Sequence, residues 1–256
     1  MSVALQGAIS QGILWGIMVL GVFITFRLLD IPDMTVDGSF ALGGSVVAVL
    51  IVNAHVHPAV AILAGMVAGG LAGAVTGVLT TVFEIPAILA GILTQISLWS
   101  INLRIMGKSN TPLLANDTIF SDVSKLTGLP QSTVSALMGI IIAIVIVAVL
   151  YWFFGTEIGS ALRATGNNED MIRALGVNTN RTKMIALVLS NALVGLAGGL
   201  ICQSQKYADI GMGTGAIVIG LAAIVIGEVL GRLLPGGLTK FGARLAAAVV
   251  GSVVYF

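Results

Sequence analysis

Charge is what this sequence has least of. Only 9% of its 256 residues are Asp, Glu, Lys or Arg, while 57% are hydrophobic; an average soluble domain is roughly 25% charged. So few charges cannot cover a water-soluble chain of this length, which excludes an ordinary soluble globular fold. The net charge of +1 leaves no basic field for a nucleic-acid partner. The single cysteine, Cys202, excludes an intrachain disulfide. Lys and Arg are missing from the first ten residues. The basic start of a secretory signal peptide is therefore absent, and the first apolar segment reads as a retained span. A nucleotide-binding loop is missing too. Gly107-Lys108-Ser109 matches only the end of the phosphate-loop pattern, whose earlier Gly falls at position 102, which is Asn.

Apolar sequence is what is abundant, and it predicts an all-α polytopic membrane protein with about eight membrane segments. The first runs over Ile9–Leu29. Pro32, Asp33 and Asp37 then interrupt it, and Ser39–Val52 follows. That stretch falls short of the roughly 20 residues needed to cross; either the preceding turn enters the membrane or the helix is discontinuous. The third segment is Pro58–Val82, glycine-dense and opened by a Pro at a first helical position. His55 and His57, at i and i+2 with no acid or Cys near them, read as turn residues rather than metal ligands. Glu84 in the next turn is either an intramembrane coupling carboxylate or an interfacial loop residue.

The fourth segment, Ala87–Leu103, holds Thr94, Gln95, Ser97, Ser100 and Asn102. It reads as lining an internal surface, or as hydrogen-bonding to neighbouring helices. A polar stretch, 104–131, precedes a fifth segment at Val134–Phe154. The sixth is Ile185–Cys202. After it, Gln203–Gly213 reads as a polar turn before a seventh segment at Thr214–Leu230. Glu228 and Arg232 are spaced as an i, i+4 pair. Leu233–Lys240 reads as a turn, and a last apolar run starts near Ala243.

Between the fifth and sixth segments lies 156–183, with seven ionisable residues: Glu157, Arg163, Glu169, Asp170, Arg173, Arg181 and Lys183. It reads as two short helices. Thr156 caps the first and Gly166 ends it as a left-handed residue. Asn167 or Asn168 caps the second, with Glu169 and Asp170 in its first turn, Arg173 near its end and Gly176 past it, an order that complements the helix dipole. Met171, Ile172 and Leu175 make an apolar stripe. The segment is either an ordinary basic loop or a docking element for another protein.

GSALRATGNNEDMIRALGVNTNRTK resembles the cytoplasmic coupling segment of permease subunits of ATP-binding-cassette (ABC) importers of the branched-chain amino acid and ribose type. Gly159, Arg163, Ala164, Gly166, Asn168, Gly176, Val177 and Asn178 fit its general shape. Asp33–Gly44 and Leu89–Asn110 resemble a narrower subgroup linked to aromatic amino acids such as tryptophan and tyrosine. The resemblance spans nearly the whole chain and implies one transmembrane permease domain over residues 1–256, with no catalysis of its own. It implies a bacterial inner-membrane location, a second permease subunit forming a homodimer, separate ABC ATPases that hold ATP and Mg, an extracytoplasmic substrate-binding lipoprotein, and surrounding membrane lipid. The implied coupling residues are Gly159, Arg163, Ala164, Gly166, Asn168, Glu169, Met171, Ile172, Arg173, Leu175 and Gly176. Gly38, Ser39, Gly43, Gly44, Thr94, Gln95 and Ser97 are the candidates for the translocation pathway, with a free helix N-terminus at Gly38–Gly44 offering N–H groups to a substrate carboxylate. No cofactor or metal is expected on this chain.

With 156–183 cytoplasmic, alternation places eight of the Lys and Arg residues inside and four outside, and makes 104–131 an external loop. DMTVDGSFALGGSVVAV from Asp33 can be laid on DIGMGTGAIVIGLAAIV from Asp209. That register is either an inverted repeat or chance similarity between glycine-rich apolar segments. The family resembled continues beyond Phe256, so a longer permease is expected. Together these readings predict the membrane subunit of an importer of a small solute, an aromatic or branched-chain amino acid. The alternative is an ion-coupled secondary transporter, for which Glu84 is the one candidate coupling site.

Overall fold

A computed structural model describes residues 3–114, 116–233 and 241–256. The helices are α1 (Val3–Val22), α2 (Thr35–Val52), α3 (Pro58–Thr81), α4 (Ala87–Met106), α5 (Ile119–Thr127), α6 (Gln131–Phe154), α7 (Glu157–Asn167), α8 (Glu169–Ala174), α9 (Thr179–Gln205), α10 (Ala216–Leu233) and α11 (Phe241–Tyr255). Seven helices among the described residues are long and apolar enough to cross a membrane, and α11 is a shorter apolar one. Seven of the expected segments correspond to these helices, and the last expected apolar run corresponds to α11, which at 15 residues is shorter than the others. The turn predicted at Leu233–Lys240 lies almost wholly outside the described residues.

Burial sorts the helices into layers. Ile17, Met18, Val19, Leu20 and Val22 are each 0% exposed, so α1 is enclosed on all sides, together with most of α2 and α9. Helices α4 and α6 are mostly exposed, and their outward side chains include Ile96, Trp99, Ile141 and Ile144. Apolar side chains can face outward on these helices because helices satisfy their own backbone polar groups, which is what a lipid surround demands.

Close packing of the central helices depends on absent side chains. A Cβ on Gly43 of α2 would lie 2.0 Å from the carbonyl oxygen of Gly195 on α9, so the two backbones touch there. Helix α1 ends in a π-helical stretch, Phe23–Leu28, which carries Arg27.

Several sequence expectations are corrected. Helix α9 runs on to Gln205, and the turn begins at left-handed Lys206. Gln203 is therefore helical and fully buried, donating to the Pro58 carbonyl and accepting from the Ile119 N–H. It ties α9 to the start of α3 and to α5, which a polar residue near a helix end does not announce. The stretch 104–131 is not all loop. It holds α5, closed by a Thr118–Ser121 capping box, and strand β1 (Asn110–Pro112). β1 pairs antiparallel with β2 (Tyr207–Asp209), Thr111 opposite Ala208. Glu228 does not pair with Arg232. It takes a two-pronged bond from Arg27, at 2.6 and 3.1 Å, because packing α1 against α10 brings a planar guanidinium within reach.

Candidate functional site

Two regions carry the chemistry. The first is the pair α7–α8. The Thr156 hydroxyl accepts from the Gly159 N–H, and Asn168 ends α7 in extended geometry while its side chain accepts from the Met171 N–H to start α8. Gly176 follows at φ +87°, and Asn178 caps α9 by accepting from the Arg181 N–H. One expected cap is wrong. Gly166 lies inside α7, and its missing side chain serves contact instead: a Cβ there would sit 1.8 Å from the Leu28 carbonyl oxygen. The chain runs one residue past it because Asn168 supplies both the stop and the next start.

Helix α8 has six residues and would not persist alone. Three of its residues hold it: Ile172, Glu169 and Arg173. Ile172 is 6% exposed and anchors it inward. Glu169 accepts from Arg173 at 2.8 Å and from Lys183 at 2.6 Å. Arg173 also donates to the Thr179 hydroxyl at 3.0 Å. Burial works to raise the Glu169 pKa, but Lys183, Thr179 and Arg173 together hold it below the ordinary glutamate value. Met171 and Leu175 are left 53% and 70% exposed. The expected three-residue stripe is therefore split, one residue inward and two outward. Arg163 does not share that outward face. Its guanidinium stacks on the Phe241 ring of α11, 5.1 Å from the centroid, and Ala164 lies beside it, half-buried.

The second region is a polar core at the start of α2. The Asp33 carboxylate accepts from the Thr35 N–H and, at 2.7 Å, from the Asn191 side chain in the middle of α9. Ser39 donates to the other end of the same Asn191 amide, also at 2.7 Å. The Thr76 hydroxyl lies 2.7 Å from that of Thr35 and 3.0 Å from that of Thr94. Asp37 accepts from the Gly215 and Ile217 N–H groups and so caps α10. The helix start expected at Gly38–Gly44 is corrected: α2 begins at Thr35, so those residues lie inside it, and the N–H at the actual start has a partner. Asp33 takes the Thr35 N–H, because an Asp two residues earlier folds back on it.

Of the pathway candidates, Ser39 and Thr94 belong to this buried network. Gly43 is pressed against Gly195, and Gly44 against Met212. Gly38 packs on Leu98, and its carbonyl faces the Asn102 amide at 3.5 Å. Gln95 is half-buried and borders a small chamber with Asp37, Trp99, Asn102 and Thr214. Ser97 is exposed and donates to the Leu93 carbonyl of its own helix. Glu84 is exposed, in a left-handed turn at φ 54°. Sequence reasoning passed over Asn191 and Thr76; an Asn in the middle of an otherwise apolar segment was the available signal.

The profile of a family described as the permease component of the branched-chain amino acid transport system matches residues 4–256. The chain belongs to that family. This permease is 38% identical over 246 residues to the tyrosine transport system permease protein of Clostridioides difficile (strain R20291), covering 96% of this chain and 78% of that protein. It is 30% identical over 222 residues to the ribose import permease protein RbsC of Escherichia coli (strain K12), covering 85% and 66%. It is 23% identical over 264 residues to a probable branched-chain amino acid transport permease protein LivH of Methanocaldococcus jannaschii, covering 96% and 78%. No solved structure matches. Family and apolar helices together make this permease an integral multi-pass membrane protein, in bacteria one of the inner membrane.

Proposed function

We propose that this permease is the membrane subunit of an importer for an aromatic or branched-chain amino acid, driven by a separate ATPase that docks on α8. The observation that carries the reading is the split of α8: one residue anchors it, an ion network braces it, and Met171 and Leu175 face outward. A short rigid helix with two exposed apolar side chains is built to be pushed. In this reading ATP and Mg stay in the partner, and a binding protein delivers the solute to the opposite face. A second copy of the chain completes the path beside α4, where Gln95 and the buried Ser39–Asn191–Thr94 region give polar depth. The likeness to a tyrosine permease supports the substrate class.

The inverted repeat belongs to the same proposal. Asp33 and Asp209 each accept from the backbone N–H two residues on, at 2.9 and 2.8 Å. The register that matches them lays α1 on α9 and α3 on α11, and sets Gly213 on Asp37, two residues that touch. Glu84, exposed in a turn, gives the ion-coupled alternative no intramembrane carboxylate at that position.

The test is co-purification and uptake. Tagged wild-type permease should bring down an ATPase and support ATP-dependent uptake of labelled tyrosine or leucine in cells. Met171→Glu with Leu175→Glu should lose the ATPase while the permease stays folded. Retention of the ATPase by that variant sinks the docking assignment, and uptake of ribose but neither amino acid sinks the substrate class.

A further inference from the structure

The end of the bundle that carries α7 also gathers arginines that the α8 surface does not use. Arg27 on the π-helical end of α1, Arg163 on α7 and Arg244 on α11 line one open cavity of about 480 Å³, with Ser160 and Asn167. Among the described residues no carboxylate lines it, and Arg27 is met by Glu228. The Arg163 Nε–H is buried with no hydrogen-bond partner among the described residues, and its guanidinium rests on Phe241. A second cavity, also about 480 Å³, shares Arg163 and Phe241 and extends to Tyr151, Trp152 and Thr156. Tyr151 and Trp152 are 59% and 72% exposed at the end of a 24-residue apolar helix. Amphipathic aromatics in that position mark head-group depth.

The donor set selects the ligand. Guanidiniums are planar forks that match the oxygens of a phosphate, and three of them around a cavity that no described carboxylate lines favour an anion. A carboxylate from a docked protein would satisfy the charge. It would leave the adjoining aromatic cavity without an occupant. A phospholipid accounts for both, with phosphate among the arginines and glycerol and upper acyl carbons along Trp152 and Tyr151. Basic pockets between membrane helices are a known basis for anionic-lipid recognition. We propose that this double cavity holds the head group of an anionic phospholipid, wedged between α1, α7 and α11. The lipid would thereby brace α7 against the bundle.

The test uses the purified full chain in detergent, with phosphatidylglycerol or phosphatidylcholine added and retention read by native mass spectrometry. Wild type should keep phosphatidylglycerol selectively and gain thermal stability from it. Arg163→Gln with Arg244→Gln should bind it roughly 25-fold more weakly, each basic side chain near an anionic surface contributing about 5-fold. Ser160→Trp, which keeps the arginines and fills the cavity, should also lose the selectivity. Arg181→Gln, outside the cavity, should not. Equal retention of both lipids by wild type overturns the proposal, as does unchanged selectivity in the Ser160→Trp variant. Inorganic phosphate giving the same stabilisation alone assigns the site to a soluble anion instead. Unchanged phosphatidylglycerol retention in the Arg163→Gln, Arg244→Gln variant likewise overturns it.

Discussion

The Asn191 side-chain amide ties α9 to the start of α2, far away in sequence, donating its N–H to Asp33 and accepting from the Ser39 hydroxyl, both at 2.7 Å. Both partners are buried, and Asn191 itself is 0% exposed. One amide therefore fixes where the turn before α2 meets the middle of α9. Asn191→Leu should destabilise the permease by about 2–3 kcal/mol, because a buried acceptor and a buried hydroxyl lose their partner. Asp33→Asn should cost less, since an amide oxygen can still accept from the Thr35 N–H. Thermal unfolding in detergent checks the order, and equal losses would show that the network is not the anchor.

Glu169 gives α8 a pH limit. Its pKa is held below the ordinary glutamate value of 4.5 in spite of burial, chiefly by Lys183, with Thr179 and Arg173. A depressed carboxylate pKa means the clamp is at full strength above 4.5 and is lost as pH falls through the lowered folded value. Hydrogen exchange of α8 amides, corrected for intrinsic rate, should be steady from neutral pH down to that region and then rise. Glu169→Gln should exchange fast at every pH. A wild-type transition well above 4.5 would rule out Glu169 as the cause.

The Arg27–Glu228 pair should couple, and the Glu228–Arg232 spacing should not. Arg27 is 54% exposed at its side chain, so screening limits the coupling to roughly 1 kcal/mol or less. A double-mutant cycle on thermal stability with Arg27→Ala and Glu228→Ala should still resolve it. The same cycle with Arg232→Ala should give no coupling.

Two glycines in and after α7 and α8 should fail for different reasons. Gly166→Ala drives a methyl into the Leu28 carbonyl, so α7 must move off the end of α1, at about 1–3 kcal/mol. Gly176→Ala meets open space and pays only for its positive φ, about 1 kcal/mol. Transport should fall more in the first variant than in the second; the reverse order would mean that the turn, not the contact, transmits motion.

Composition and local pattern already specified the class, most of the helices and most of the helix caps between residues 156 and 183. A chain with this little charge has only lipid to face, and Thr156, Asn168, Gly176 and Asn178 act on backbone groups within three residues of themselves. Such local hydrogen bonds are written in spacing alone. Tertiary structure decided which side chains meet across the bundle. Nothing near Gly166 foretells Leu28, nothing near Glu228 foretells Arg27, and the Met171–Ile172–Leu175 stripe divides only once α8 lies down on its neighbours. Those outcomes depend on how apolar helices pack, and in a sequence this uniformly hydrophobic every face of a helix looks alike until another helix covers it.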